Sequence, residues 1–200
     1  MNIIKIPITV FSFAFCIVLF SCNNNEIKSS NSNPQTNQAP PSSNLNSVGS
    51  DIVSLEKLVK EDSTNVGLRL NLGTAYYASK DFPNAIMQFN KVLELDKKNL
   101  NALIDLGNIY YDTNENQKAV DFYKKALAID KTNLNVSCDM ATCLDKLGKT
   151  DEAIKILKDN IKTDNSHAQS HHNLANFYEK KGNKIEAEKE EKIFNDLTKR

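Results

Sequence analysis

The sequence lacks the motifs by which most enzymes and nucleic-acid-binding proteins are recognised. It has only six glycines, none of them in a glycine-rich phosphate loop, and no motif that pairs a nucleophile with a base. It also lacks an excess of basic charge, because 25 lysines and arginines balance 25 aspartates and glutamates. Without residues 1–21, whose only charged residue is Lys5, 24 basic residues face 25 acidic ones, a net charge of −1. We therefore expect no enzymatic activity, no cofactor and no binding of nucleic acid.

The cysteines that follow Cys22, and the histidines, are too few and too poorly spaced for a disulfide or a metal site. Cys138 and Cys143 lie on one predicted helix, which places their Cα atoms roughly 8 to 9 Å apart, beyond the reach of a disulfide. We expect both to be small thiols, buried or half-buried. The three histidines, His167, His171 and His172, give at most two imidazoles on one helix face, whereas a metal normally requires three or four ligands. We therefore expect no metal site.

The chain also lacks an apolar run of transmembrane length. Residues 6–20 are largely apolar, but a transmembrane helix needs about 20 residues, and a run of this length is typical of a secretory signal peptide. The tetrad Leu-Phe-Ser-Cys that ends at Cys22 is similar to the lipobox of bacterial lipoproteins. That resemblance implies a signal peptide over residues 1–21 and a lipid on Cys22. The alternatives are an ordinary signal peptide cleaved near Ser21 and an uncleaved anchor.

Residues 22–50 are poor in apolar side chains and consist mostly of asparagine, serine, glutamine and proline. Such a composition predicts a disordered tether, because the segment has too little apolar surface to bury. As a flexible coil, its ends would lie on average about 30 Å apart, taking about 5 to 6 Å times the square root of its length. It would hold the following residues a short distance from a membrane.

The rest of the chain repeats one pattern with a period of 34 residues. Within residues 100–133, apolar residues recur at three- and four-residue spacing in two runs separated by a polar break, which predicts a helical hairpin. Four copies at a fixed period indicate a solenoid. The repeated positions are Leu72, Gly73, Tyr76, Ala85 and Phe89 in the first copy; Leu106, Gly107, Tyr110, Ala119 and Tyr123 in the second; Met140, Ala141, Leu144, Ala153 and Leu157 in the third; and Leu174, Ala175, Tyr178 and Ala187 in the fourth.

This pattern resembles the tetratricopeptide repeat (TPR) over residues 66–200. The resemblance implies an all-α, right-handed α-solenoid of about four helical hairpins, and residues 51–65 align with the second helix of a repeat, which predicts an N-terminal cap helix. The small residues Gly107 and Ala119 predict where the paired helices cross most closely. The predicted repeats are TPR 1 at 66–99, TPR 2 at 100–133, TPR 3 at 134–167, and TPR 4 with the C-terminal cap at 168–200.

Two other positions vary among the repeats. Gly148 and Gly182 lie at the register between the two helices, where a left-handed residue can end the first helix. Lys80 and Asn114 occupy that register in the first two repeats. The fourth position, at which the family often carries a large residue, holds Arg69, Leu103, Ser137 and His171.

In the TPR fold, the first helices of the repeats line a groove, and the resemblance implies which residues face it here. The apolar and aromatic ones cluster in the first two repeats, and we predict that Tyr77, Ile104, Asn108 and Tyr111 hold a partner segment. The chain has no lysine or arginine at the second, fifth or sixth position of any repeat, so we do not expect it to clamp a peptide carboxylate. The predicted groove residues are Leu70, Asn71, Thr74 and Tyr77; Ile104, Asp105, Asn108 and Tyr111; and Cys138, Thr142, Asp145, His172, Asn176 and Glu179. The acids Asp105, Asp112, Asp139 and Asp145 are interpreted as a solvated face.

These features predict a bacterial lipoprotein, anchored by its lipid to a membrane outside the cytoplasm, which is the outer membrane in a Gram-negative cell. Its TPR domain is predicted to bind another envelope protein or a peptide segment, as an assembly factor or adaptor. One alternative is an envelope protein that uses the same groove as a pocket for a small molecule or glycan. Another is an accessory subunit of a hydrolase, which differs only in the partner.

Overall fold

The computed structural model describes residues 45–199. This part of the chain consists of nine α-helices and no strand, which confirms the all-α class. Cys22, the predicted signal peptide and most of the predicted tether lie outside the described residues. Within residues 45–199, no helix is both long enough and apolar enough to cross a membrane. The helices are α1 (Leu45–Glu61), α2 (Val66–Ala78), α3 (Phe82–Leu95), α4 (Leu100–Asp112), α5 (Asn116–Ile129), α6 (Leu134–Lys146), α7 (Thr150–Thr163), α8 (Ala168–Lys180) and α9 (Lys184–Thr198).

Helices α2 to α9 form four hairpins stacked in chain order. The first helices of the hairpins begin at residues 66, 100, 134 and 168, and the second helices begin at 82, 116, 150 and 184, so both series advance by 34 residues. Each helix packs mainly on its neighbours in the sequence, while α2 also contacts α4 and α6 also contacts α8. This arrangement is a helical-repeat solenoid in which contacts stay local.

Helix α1 begins at Leu45, so residues 45–50, predicted as part of the tether, are helical. In the sequence, apolar residues continue at three- and four-residue spacing from Leu45 through Val48 and Ile52 to Leu55, which extends the apolar stripe back into this segment. Ile52 and Leu55 pack against the core of the first repeat, and α1 contacts α2. The apolar stripe therefore favours a helix in this segment, although the surrounding residues are mostly polar.

Asparagine side chains fix the start of three of the four first helices. Asn65, Asn99 and Asn133 each accept a hydrogen bond, 3.1 Å long, from the backbone N–H three residues later. This bond satisfies one of the donors that a helix leaves unpaired at its first turn. His167 occupies the same position in the fourth repeat, and its ring makes no such cap.

A residue in the left-handed region ends each first helix, as predicted. The φ angles are +63° at Lys80, +61° at Asn114, and +77° at both Gly148 and Gly182. In the first repeat, the N–H of Lys80 donates to the carbonyl of Tyr77, and the next N–H donates to the carbonyl of Tyr76. This pair of bonds is a Schellman motif, which closes the helix and turns the chain into the second helix.

The glycines of the first two hairpins admit an aromatic ring. A Cβ atom on Gly107 would lie 2.4 Å from the ring of Tyr123, and one on Gly73 would lie 2.8 Å from the ring of Phe89. The prediction that Gly107 marks a close approach is right, but its nearest side chain is Tyr123, not Ala119. In both hairpins the absence of a side chain on the first helix lets a buried ring of the second helix cross beneath it.

Candidate functional site

A groove of about 350 Å³ runs along the first helices of the four repeats. Residues of α2, α4, α6 and α8 line it, together with one side chain that reaches in from the second helix α5. Because these helices belong to different repeats, the groove forms only when the hairpins stack. The lining residues, hereafter the groove, are Tyr77, Asn108, Tyr111, Asp112, Tyr123, Asp139, Thr142, Gln169 and Asn173.

Of the eight groove residues predicted in the first two repeats, three line this groove: Tyr77, Asn108 and Tyr111. Leu70 and Ile104 do not, because their side chains are half-buried and pack against the core. The remaining three also lie outside the groove lining: Asn71 and Thr74 are exposed, and Asp105 is half-buried.

Sequence reasoning missed five of the lining residues. Tyr123 was named only as a repeated position of a second helix, yet its ring passes beneath Gly107 and its hydroxyl reaches the groove. Asp139 and Asn173 both occupy the sixth position of their repeats, and this shared position could have identified them as groove residues. The other two are Asp112 and Gln169.

Tyr77 and Asp112 join the first two repeats across the groove. The hydroxyl of Tyr77 donates to Asp112 Oδ2 at 2.7 Å, although the residues lie 35 apart in the sequence. Burial raises the pKa of Tyr77, and the hydrogen bond to Asp112 raises it further, so the phenol stays protonated as a donor. The ring also packs on Phe82, with centroids 6.1 Å apart. Tyr77 is therefore held in place before any partner binds.

Tyr123 orients the amide of Asn108. The hydroxyl of Tyr123, a side chain that is only 1% exposed, donates to Asn108 Oδ1 at 2.7 Å. Burial is the largest cause that raises the pKa of Tyr123, so this phenol also remains a donor. Because the amide oxygen accepts this bond, the NH₂ group of Asn108 is the part left to donate to a partner.

Tyr111 is covered on one face by a lysine of the next repeat. Lys146 Nζ lies 3.7 Å from the centroid of the Tyr111 ring, within the range of a cation–π contact. The sequence predicts that Tyr111 helps to hold a partner segment. The structure leaves only the rest of its ring for a partner.

The acids predicted to form a solvated face behave in two ways. Asp112 and Asp139 are exposed, as predicted, whereas Asp105 and Asp145 are half-buried and the prediction is wrong for them. Asp145 accepts hydrogen bonds from Lys180 Nζ at both carboxylate oxygens, each 2.9 Å long, and a third from the hydroxyl of Thr150 at 2.6 Å. Burial in the wall of the solenoid raises the pKa of Asp105 to about 6.

The cysteines are buried thiols, as expected. Burial raises the pKa of Cys138, and it raises the pKa of Cys143 to about 12, so neither forms a reactive thiolate at neutral pH. Cys138 Sγ lies 3.3 Å from the hydroxyl of Ser170, which in turn lies 2.8 Å from His167 Nδ1. Ser170 is fully buried, so this chain of contacts is structural.

The histidines point to separate partners. His167 Nε2 lies 3.0 Å from Asn135 Oδ1, which ties the fourth repeat to the third. His171 Nδ1 lies 2.6 Å from Glu190 Oε2. Among residues 45–199, no group of three histidine, cysteine, aspartate or glutamate side chains is placed to hold a metal ion.

Two sequence families match the chain. The family described as "Tetratricopeptide repeat" matches residues 68–132, and the family described as "Tetratricopeptide repeat protein 21 forth ARM domain" matches residues 103–199. Together they span all four hairpins. No curated protein sequence matches the chain.

Solved structures of other proteins share the fold. A crystal structure of MamA superposes with a TM-score of 0.71 at 25% identity, over 77% of this chain and 90% of the other. A structure of the MamA RS-1 ArsTM double mutant gives a TM-score of 0.70 at 14% identity, over 76% and 85% of the two chains. YrrB, described as a TPR protein with an unusual peptide-binding site, gives 0.64 at 19% identity, over 77% and 79%.

Proposed function

Because this chain is a tetratricopeptide-repeat protein, we propose that it is a membrane-anchored bacterial lipoprotein whose repeats bind another envelope protein. Repeats of this family generally act as scaffolds rather than as enzymes. The groove is the site at which the partner binds, through an extended segment. In this role the protein is an assembly factor or adaptor of the cell envelope.

The observation that carries the proposal is the convergence of pre-oriented polar groups in the groove. Tyr77 and Asn108 come from adjacent repeats, and each is fixed by a hydrogen bond of 2.7 Å to a neighbouring side chain. Groups that are already fixed lose little conformational entropy when a partner binds. The fold has a peptide-binding precedent in YrrB, a TPR protein with an unusual peptide-binding site.

The envelope location rests on the N-terminal sequence. A signal peptide over residues 1–21, a lipid on Cys22 and a polar tether would place the repeats next to a membrane outside the cytoplasm. A single acyl chain binds membranes only weakly, so a lipoprotein anchor requires more than one chain or an additional contact. Labelling cells with a radioactive fatty acid tests this part. The label should be lost in Cys22→Ser, and a label that persists in this variant would contradict the lipid anchor.

Filling the groove tests the binding site. Gln169 lines the groove and is exposed, so Gln169→Trp adds a large side chain there without disturbing the core. We expect this variant to lose the partner that the parent retains in cross-linked cells, while its melting temperature stays unchanged. The matched control is Lys91→Glu, on the exposed face of α3, which should retain the partner. Loss of the partner in Lys91→Glu but not in Gln169→Trp would move the binding site to the second helices.

The size of the groove supports a second candidate function, the binding of a small molecule or glycan. A volume of about 350 Å³ lies within the range of small-molecule pockets, and three tyrosines converge on it. It ranks second because Tyr123 is buried and Lys146 covers one face of Tyr111, which leaves little open ring surface. Calorimetric titration with simple sugars separates the two functions, because binding that Gln169→Trp abolishes would favour the pocket.

A further inference from the structure

The groove is lined by two carboxylates and by no lysine, arginine or histidine. One carboxylate, Asp112, accepts the hydrogen bond of Tyr77. The other, Asp139, has no hydrogen bond or ion pair with any side chain in residues 45–199. The same holds for Asp105, which lies outside the groove lining and occupies the same position one repeat earlier. Two acids on adjacent first helices are therefore left without a partner in the described part of the chain.

Lysines at the ends of the next two first helices are engaged with other groups. Lys146 lies over the ring of Tyr111, and Lys180 binds Asp145 through both carboxylate oxygens. The pKa of the Tyr77 phenol is raised by burial, then by Asp112, and further by the charges of Asp105 and Asp139. Three negative charges therefore act on the position of this ring. A ligand that enters the groove thus meets uncompensated negative charge.

The fold itself does not require these charges. Asp105 and Asp139 occupy the sixth position of the two middle repeats, and the first and fourth repeats have Asn71 and Asn173 there. The amide has the same shape as the carboxylate and avoids the cost of placing a charge in a partly desolvated wall. The charge at the two middle repeats therefore needs an explanation other than packing.

We propose that the groove binds an extended protein segment through a positively charged side chain, an arginine or lysine, which lies between Asp139 in the groove lining and Asp105 at the same position of the preceding repeat. The aliphatic part of that side chain packs against the ring of Tyr77, and the NH₂ group of Asn108 donates to a backbone carbonyl of the segment. This inference rests on the proposed function and names the chemistry of the partner. Charge-assisted hydrogen bonds are strong here because the solenoid wall excludes part of the solvent.

Selection from a phage-displayed library of random dodecapeptides on the full chain tests the inference. Peptides that bind the parent but not Gln169→Trp are groove ligands, and they should be enriched in arginine and lysine. The double variant Asp105→Asn/Asp139→Asn keeps the fold, because asparagine already occupies this position in two repeats. It should bind a synthetic copy of the best peptide at least about tenfold more weakly, as measured by fluorescence anisotropy.

The control is Asp196→Asn, an exposed acid on α9 outside the groove, which should bind the peptide within about twofold of the parent. Groove ligands without arginine or lysine enrichment, or with affinity that the double variant does not change, would overturn the inference and leave the proposed function standing. If no peptide binds the parent more tightly than it binds Gln169→Trp, both the inference and the proposed function fail.

Discussion

His171 and Glu190 form a buried pair in the fourth repeat at the positions that Leu103 and Phe122 occupy in the second. His171 Nδ1 lies 2.6 Å from Glu190 Oε2, and His171 Nε2 lies 3.1 Å from the carbonyl of Asn165. The same two positions carry Arg69 and Gln88 in the first repeat, where Arg69 Nη1 donates to Gln88 Oε1 at 3.0 Å. In these three repeats, the residue at the fourth position therefore matches the residue 19 places later in polarity: both are polar or both are apolar.

Exchanging the polar pair of the fourth repeat for the apolar pair of the second should be tolerated. Removing one partner alone, as in His171→Leu or Glu190→Phe, leaves a buried polar group unpaired and should lower the free energy of unfolding by about 3 kcal/mol. The double variant His171→Leu/Glu190→Phe should be near the parent or above it. Urea unfolding of the four proteins gives the coupling energy. If the free energy of unfolding of the double variant falls by the sum of the two single losses, His171 and Glu190 do not act as a pair.

Gly107 tests the packing of the second hairpin. Gly107→Ala places a Cβ atom 2.4 Å from the ring of Tyr123, so the ring must move, and we expect a loss of about 1–3 kcal/mol. The control is Gly67→Ala, on an exposed turn of α2 where the new Cβ meets only Asn65 Oδ1 at 3.4 Å. That variant should gain about 0.5–1 kcal/mol from helix propensity. Equal effects in the two variants, measured by urea unfolding, would rule out close packing at Gly107.

Lys80 adopts a backbone conformation that suits glycine. Its φ of +63° lies in the left-handed region, and its side chain is exposed, so Lys80→Gly relieves strain without removing packing. We expect a gain of about 0.5–1 kcal/mol in the free energy of unfolding, after the added entropy of the unfolded chain is subtracted. Gly148→Ala, at the same register with φ of +77°, should be destabilising. A lower melting temperature for Lys80→Gly would refute this explanation.

Asp105 gives the stability a specific pH dependence. Burial raises its pKa from the ordinary value of 3.8 to about 6, so between these values the folded chain holds a proton that the unfolded chain has lost. The free energy of unfolding therefore decreases as pH rises through this window. Asp105→Asn removes the penalty, and it should be more stable than the parent by about 1–3 kcal/mol at pH 7.5 but nearly equal at pH 4.

The control for this prediction is Asp159, an exposed acid whose pKa is lowered by its hydrogen bond to Lys162. Asp159→Asn should show no gain at pH 7.5, because its ionised form is favoured in the folded chain. Urea unfolding at pH 4, 5, 6 and 7.5 measures both variants. A difference between Asp105→Asn and the parent that does not change with pH would contradict the assignment.

The sequence predicts the solenoid well because its signals are local. The repeated positions of Leu106, Gly107 and Tyr110 lie within one helix, and the left-handed register of Gly148 depends only on the turn that follows. Such features need no knowledge of how repeats stack. The same holds for Asn99, whose cap forms with a residue three places away.

The groove was predicted only in part because it depends on contacts between repeats. The contact of Lys146 with Tyr111 and the hydrogen bond from Tyr77 to Asp112 join residues 35 places apart, and their geometry follows from the stacking of hairpins. Tyr123 was missed because an aromatic residue on a second helix predicts a core position, which it also occupies. The start of α1 at Leu45 was missed because composition was given more weight than a short apolar stripe.

Photo-crosslinking in living cells tests the central claim most directly, since it reports which surface touches the partner. The photoreactive amino acid p-benzoylphenylalanine is placed at residue 169, in the groove, and in a separate strain at residue 91, on the exposed face of α3. We predict a discrete crosslinked protein from position 169 that is absent from position 91. A crosslink from position 91 alone would contradict binding in the groove.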